Sequence, residues 1–442
     1  MNHCLYIKAA AVAAATMSIA PAATAQQEWT LRQCIDYAVE HSVSIRQRQV
    51  EVQKSENELS TSRGAHLPSV SAYVGQTFDF GRGLTINNTY ENKNTRNTSF
   101  ALQANLTLFE GFRATNGVKV SRLNLAAATD DLAAAKEDLG ISVAQAYLQV
   151  LCSKEIAEAA HVQADLSRQQ LDRKVALLEN GRAAEADVYE ARSLVAQDEM
   201  NAVKADNDYR LALLDLSQLL ELPSPDGMTV AMPDTAIALG QYAGPEEIYQ
   251  EAMASKASVR AAQERTQSAE RSVALAKGAY SPTLSLQAGI STGYYAVAGQ
   301  SGDSFGDQLD QNLDKAVSLS LSIPIFNRFA TRNGVRSAKM NYSSSLMELE
   351  SVRKTLYKEI QQAYYNAVAA KATYESSVAA AESSEAAFRL AEGKYAAGLS
   401  SATDYAEART NRLTAVANMI QYKYDMLFRG KILDFYRGAT LD

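Results

Sequence analysis

Four stretches of the chain alternate apolar residues with small polar residues at a period of two. In the clearest pair, residues 100–108 and 317–325, Phe, Leu, Val and Ile interleave with Ser, Gln, Asn and Thr. Residues 70–74 and 284–290 follow the same rule. This period predicts β-strands with one apolar and one small polar face. The polar positions carry almost no Lys or Glu, which favours a membrane barrel with a wet interior over a half-buried sheet of a water-soluble protein.

The stretches that join these predicted strands, residues 81–97 and 299–314, are polar and are expected to form exposed loops. Two Pro-free runs follow the strands, at residues 114–180 and 331–397. Each run of 67 residues predicts a helix of about 100 Å, far longer than the 8–20 residues of an ordinary globular helix.

Both long runs stop at a glycine, Gly181 and Gly398, and a second helical stretch follows at 183–222 and 400–436. A glycine between two helices predicts an antiparallel helical hairpin. Heptad spacing within these runs adds coiled-coil packing to the prediction. Shorter helices are expected ahead of the strands, over residues 31–63 and 246–277.

The second half of the chain repeats the first, which predicts an internal duplication. At an offset of 217 residues the matches include Phe109 with Phe326, Asn116-Gly117-Val118 with Asn333-Gly334-Val335, and Glu190-Ala191-Arg192 with Glu407-Ala408-Arg409. Upstream the offset is 214, since Leu67-Pro68 corresponds to Ser281-Pro282. The predicted division is therefore a first repeat at 26–222, a linker at 223–245 and a second repeat at 246–442.

Residues 1–25 have the features of a secretory signal peptide. Lys8 precedes a short apolar stretch, and Ala23-Thr24-Ala25 is an A-x-A cleavage site. The formal net charge of −7 argues against a general nucleic-acid binder. Cys34 and Cys152 follow the predicted cleavage site; one disulfide is arithmetically possible, but we expect both to be buried apolar residues.

No enzyme motif stands out. The four His residues show no metal-ligand spacing, and the chain has no H-E-x-x-H, C-x-x-C, P-loop or G-x-S-x-G motif. We therefore expect no catalytic residue, no metal and no cofactor.

Taken together, these motifs resemble the TolC-like outer-membrane efflux proteins over residues 29–437. The resemblance rests on the duplication and on three paired motifs: Leu67-Pro68 and Ser281-Pro282 before the strands, Leu108-Phe109-Glu110-Gly111 and Ile325-Phe326-Asn327 after them, and the hairpin tips at Gly181 to Asp187 and Gly398 to Asp404. It implies an α+β membrane protein of the Gram-negative outer membrane. Three copies would supply four strands each to one transmembrane β-barrel and form a helical tunnel through the periplasm.

The resemblance also implies partners and site residues. The tips at Gly181, Arg182, Gly398 and Leu399 would dock on a periplasmic adaptor protein that couples the tunnel to an inner-membrane pump. Asp404, Glu407, Asp187 and Tyr395 match positions of the family's periplasmic gate. Where the family member used for comparison has an Arg, this chain has Ser400, so a salt bridge that holds that tip cannot be carried over.

Two questions stay open at the level of sequence. Asp404 follows Ser401 by three residues, so it fits a helix-capping box as well as a gate. A trimeric coiled-coil scaffold or adhesin without a conduit is the alternative function, although a stalk has no use for four amphipathic strands. The exported cargo and the class of pump, for multidrug efflux or for type I secretion, are not specified by the sequence.

Overall fold

The computed structural model describes residues 28–84, 88–92, 94–232 and 242–439. The predicted signal peptide and part of the predicted linker lie outside the described residues. Within these ranges the helices are α1 (Leu31–His41), α2 (Val43–Gly64), α3 (Arg113–Glu179), α4 (Glu185–Leu219), α5 (Pro245–Ser255), α6 (Ala257–Gly278), α7 (Phe305–Gln311), α8 (Ala330–Ala396) and α9 (Ala402–Tyr436).

The strands of the same ranges form one four-stranded sheet and two small two-stranded sheets. In chain order they are β1 (Glu28–Trp29), β2 (Ser69–Asp79), β3 (Arg82–Leu84), β4 (Tyr90–Asn92), β5 (Thr95–Phe109), β6 (Thr229–Val230), β7 (Thr283–Val297) and β8 (Asp314–Ser322). The large sheet is antiparallel, in the order β2-β5-β7-β8. The parallel pair β1–β6 joins the start of the described chain to the segment after α4.

The predicted long helices are confirmed almost to the residue. Helices α3 and α8 each have 67 residues, and α4 and α9 each have 35. Helices α3 and α4 therefore have counterparts of equal length 217 residues later, and α1 and α2 have counterparts in α5 and α6 at an offset of 214. None of the helices in the described part of the chain is both long and apolar enough to cross a bilayer.

The prediction of single continuous helices over 31–63 and 246–277 is wrong. Each region holds two helices, broken at Ser42 and at Lys256. Both break residues are buried and have non-helical backbone, with ψ of 130° and 125°.

An arginine four residues after each break explains why the interruption is tolerated. Arg46 donates to the His41 carbonyl oxygen at 2.7 Å, and Arg260 donates to the Ser255 carbonyl oxygen at 2.7 Å. These bonds satisfy carbonyl groups at a helix end that have no partner within the helix. The duplicated Ser-Ile-Arg and Ser-Val-Arg of the sequence mark this break.

The sheet keeps the predicted alternation of faces. Its register aligns continuous apolar rows across all four strands, for example Val70, Ala104, Ala288 and Val317. Polar rows lie between them, for example Ser69, Asn105, Gln287 and Ser318. The regions expected to be loops hold more structure than predicted, because β3, β4 and the start of β5 fall within 81–97 and α7 falls within 299–314. Residues 323 and 325 lie beyond the end of β8.

The main apolar core lies where α1, α3, α4 and α9 meet beside the β1–β6 pair. Tyr147 is 1% exposed there, and its hydroxyl lies 2.9 Å from the Trp29 carbonyl oxygen and 2.5 Å from the Ala231 carbonyl oxygen. Cys34 and Cys152 are buried in the same core as free thiols. A second, smaller core joins α5, α6, α8 and α9.

Candidate functional site at the hairpin tips

The two hairpin tips are built alike. Gly181 and Gly398 have φ of 71° and 74°, the left-handed region that a glycine enters without steric cost. The Gly181 N–H donates to the Leu178 carbonyl and the Arg182 N–H to the Leu177 carbonyl, both at 2.8 Å. The second tip has the equivalent pair of bonds from Gly398 and Leu399. These Schellman motifs end α3 and α8 and turn the chain back.

The next helix of each tip begins at a different kind of cap. The Asp404 N–H donates to Ser401 Oγ at 3.1 Å, and the Ser401 N–H donates to Asp404 Oδ2 at 3.2 Å. These two bonds form a complete capping box. In the first tip Asp187 Oδ2 accepts from the Ala184 N–H at 3.1 Å, but Ala184 has no side-chain oxygen, so only half of the motif forms.

Capping therefore accounts for the local structure at Asp404. The hydrogen bond from the Ser401 side chain, together with the Ser401 backbone bond, holds the pKa of Asp404 below its usual value. Glu407 lies one turn further along α9, is exposed, and makes no hydrogen bond or ion pair with any described residue. It is free to face a neighbouring molecule or the solvent.

Tyr395 is the predicted gate residue that contacts the other hairpin. Within its own hairpin, the Tyr395 ring stacks on the Tyr405 ring of α9 at a centroid distance of 4.9 Å. From the other hairpin, Lys174 Nζ of α3 lies 4.7 Å from the centroid of the Tyr395 ring. Burial raises the pKa of Tyr395, and the charges of Glu190 and Asp187 raise it further. Of these contacts, the one with Lys174 joins Tyr395 to the first hairpin.

The residues predicted to dock an adaptor are at the surface. Gly181, Arg182 and Gly398 are exposed, and Leu399 is 78% exposed. An exposed leucine at the end of a helical hairpin offers apolar area to a partner.

A buried polar cluster behind the tips was not foreseen from the sequence. Asp198 of α4 and Arg409 of α9 are 2% and 5% exposed and form an ion pair. Ser167 of α3 donates to Asp198, accepts from Arg409 at 3.3 Å, and is itself buried. Burial lowers the pKa of Arg409. Because charges are buried only when paired, this cluster marks a close fit between the two hairpins.

A second set of bonds continues the contact between the hairpins. Arg412 of α9 binds Glu385 of α8 and donates to Gln163 Oε1 of α3 at 3.1 Å. Nearer the tip, Gln170 and Tyr405 share hydrogen bonds of 2.8 and 2.9 Å. Three helices are therefore joined to α9 by side-chain bonds over several turns.

At the other end of the helices, the sheet leaves its apolar face uncovered. Val317, Leu319 and Leu321 of β8 are 60–76% exposed, and Val70 and Val74 of β2 are 64% and 67% exposed. Strands β2 and β8 each have one unpaired edge among the described residues. A contiguous apolar surface of this kind marks a contact with membrane or with protein.

Comparison with known proteins adds to this geometry. A family model described as outer membrane efflux protein matches residues 34–221 and 248–433, most of the chain. Protein CyaE of Bordetella pertussis is 22% identical over 414 residues, which cover 93% of this chain and 85% of that protein. Outer membrane efflux protein BepC of Brucella suis is 22% identical over 404 residues, with 90% and 83% covered. The crystal structure of the outer membrane protein VceC from Vibrio cholerae superposes with a TM-score of 0.77 at 18% identity, over 93% of this chain and 97% of that chain.

Proposed function

The chain belongs to the outer membrane efflux protein family, and we propose that three copies of it form one conduit through the outer membrane and the periplasm. The resemblance predicted from the sequence is confirmed, and the protein is an outer-membrane channel for efflux or secretion. The open sheet, the exposed helix faces and the hairpin tips support a specific form for that conduit.

The open sheet is the observation that carries the proposal. A membrane interior contains no water to satisfy unpaired backbone groups, so a sheet with free edges cannot lie in lipid. The two free edges, on β2 and β8, must therefore pair with further strands. Another copy of the chain is the simplest source, and closure into a barrel removes both edges.

The size of the barrel sets a lower limit on the number of copies, and three is the number that the family resemblance implies. One chain supplies four strands to the sheet, so two copies would give a barrel of about eight strands, whose interior side chains fill. Three copies give about twelve strands and leave room for a lumen. In this barrel the polar rows of Ser, Gln, Asn and Thr line the water-filled interior and the apolar rows face lipid.

The helices supply the periplasmic part of the conduit. Helix α4 leaves an apolar stripe that no described residue of this chain covers: Met200, Val203, Leu211 and Leu214 are 47–68% exposed. The equivalent helix α9 buries its counterpart of Val203, Ile420, against the main core. We infer that α4 is covered by a neighbouring copy, which would close the helices into a tube.

At the end of the tube, the hairpin tips are the proposed docking surface for a periplasmic adaptor protein that connects the conduit to an inner-membrane pump. Exposed Leu399 and Arg182 would contact the adaptor. Asp404, Glu407, Asp187 and Tyr395 are proposed to line a gate, and capping by Asp404 is compatible with that role because the cap uses only one of its two carboxylate oxygens.

Two experiments test these proposals separately. Native mass spectrometry of the detergent-solubilised protein should give three chains, and a stable monomer would contradict the assembly. Single-channel recordings of Glu407→Ala should show reduced selectivity for cations if Glu407 lines the constriction. Unchanged selectivity would leave the channel in place and remove Glu407 from the gate.

A further inference from the structure

We infer that the contact inside one chain between its two halves is repeated between copies, and that this fixes how β8 of one copy pairs with β2 of the next. The inference rests on the proposed assembly. It names the partner surface residue by residue, as a second copy of this chain in one register.

The internal contact between the halves supplies the template. Strand β5 of the first half pairs with β7 of the second half, and this register sets Ala101 opposite Ser291 and Ala104 opposite Ala288. The duplication relates β5 to β8 by an offset of 217 and β2 to β7 by an offset of 214. Both hairpins obey these offsets, since Val70 opposite Ala104 becomes Leu284 opposite Leu321.

Applying the offsets to the β5–β7 contact gives the contact between copies. Ala101 becomes Ser318, and Ser291 becomes Thr77, so Ser318 of one copy lies opposite Thr77 of the next. The faces agree across the new seam, because Leu321 then lies opposite Val74 on the apolar face. A shift of one residue would turn one strand's apolar face to the lumen, whereas a shift of two would preserve the faces, so the exact pairing needs a direct test.

The contacts between helices support the same arrangement of copies, independently of the strands. Helix α3 contacts α2 of its own half and α6 of the other half, whereas α8 contacts α5 and α6 of its own half and, among the described residues, makes no comparable contact with α1 or α2. On α8 the free flank exposes Met340 and Met347, at 64% and 67%. The α3 counterpart of Met347, Asp130, is bound by Arg260 of α6 at 2.8 Å. The flank of α8 is therefore the place for α2 of the next copy.

The same offsets name a contact in this helical seam. Ser268 of α6 donates to Asn124 of α3 at 2.6 Å. Their counterparts are Lys54 of α2 and Asn341 of α8, both exposed in the single chain. We expect Lys54 of one copy to face Asn341 of its neighbour.

Disulfide cross-linking in the full-length assembled protein tests the register. The variant Ser318→Cys with Thr77→Cys should form covalent trimers under mild oxidation, because directly opposite strand residues meet the Cα separation that a disulfide needs. The matched control is Ala101→Cys with Ser291→Cys, which should close within one chain and keep the monomer mass on a denaturing gel. Cys34 and Cys152 are buried and do not compete.

A shifted pair and a helical pair complete the experiment. Ser318→Cys with Asp79→Cys is displaced by two residues and should cross-link several-fold less than the predicted pair. Lys54→Cys with Asn341→Cys should link copies in the periplasmic part. If the shifted pair links best, or if trimers are present by native mass and neither predicted pair links them, the register is wrong while the conduit stands. Absence of trimers would instead overturn the assembly itself.

Discussion

Removal of one partner of the buried ion pair behind the hairpin tips should destabilise the helical part of the protein strongly. Asp198→Ala leaves the Arg409 guanidinium 5% exposed without its carboxylate. Ser167, the remaining neutral partner at 3.3 Å from Arg409, cannot compensate a full charge. The perturbation therefore acts on a charge that is largely shielded from solvent.

The expected size is set by measured cases of this geometry. Removing one partner of a buried ion pair costs about 3–5 kcal/mol, because the other charge stays buried and uncompensated. Replacing both partners with apolar residues of similar volume is often neutral. We therefore expect Asp198→Leu with Arg409→Met to recover most of the stability that Asp198→Ala loses.

Urea unfolding followed by far-UV circular dichroism, at one fixed protein concentration because the assembly contributes to stability, measures these changes. The control is Arg192→Met, at the position in the first repeat that corresponds to Arg409. Arg192 is exposed in the chain and lies over the Tyr189 ring at 5.8 Å, so its loss should change stability by about 0.5 kcal/mol or less. If Asp198→Ala costs no more than this control, or if the double variant is as unstable as the single one, the ion pair does not join the hairpins as described.

Three further outcomes are expected. Leu321→Arg on the apolar face of β8 should cost about 2–4 kcal/mol near the membrane midplane and reduce the yield of assembled protein in outer-membrane fractions. Ser320→Arg on the polar face should assemble normally. Equal yields of the two variants would show that the faces are wrongly assigned. Burial raises the pKa of the Cys34 thiol to about 12 and that of Cys152 to about 11. A maleimide at pH 8 should therefore label neither thiol before unfolding and both after it. Labelling of the native protein would contradict this burial. Capping lowers the pKa of Asp404, so the stabilisation is present above the pKa of the unfolded carboxyl and is lost as the pH falls through the lower folded value. Asp404→Asn should therefore reduce the acid dependence of the thermal midpoint. An unchanged dependence would exclude the cap as its source.

The long helices could be predicted from the sequence because their limits are local signals. The absence of Pro and the glycines at 181 and 398 decide where α3 and α8 end, and those ends agree with the structure within one residue. The faces of the strands could be predicted for the same reason, since alternation is a property of neighbouring residues. The breaks at Ser42 and Lys256 were missed because neither residue is a Pro or a Gly, and the arginine that stabilises each break stands one turn away.

The candidate site shows the same difference between features set by neighbouring residues and features set by long-range packing. The tips could be predicted, and capping by Asp404 could be raised as one of two alternatives, because each cap is made within four residues. The pairing of Asp198 with Arg409 joins residues 211 positions apart, and no local pattern distinguishes Arg409 from its exposed counterpart Arg192. Only the packing of α3 and α4 against α9 decides which of the two equivalent arginines is buried.

The conduit itself is tested most directly by the conductance of the purified assembly in a planar lipid bilayer. A lumen lined by the polar rows of twelve strands should give discrete, stable single-channel currents from protein added to one side only. The Leu321→Arg variant, which should fail to insert, serves as the control. Insertion of intact trimers without any current would contradict the account and would favour a non-conducting scaffold.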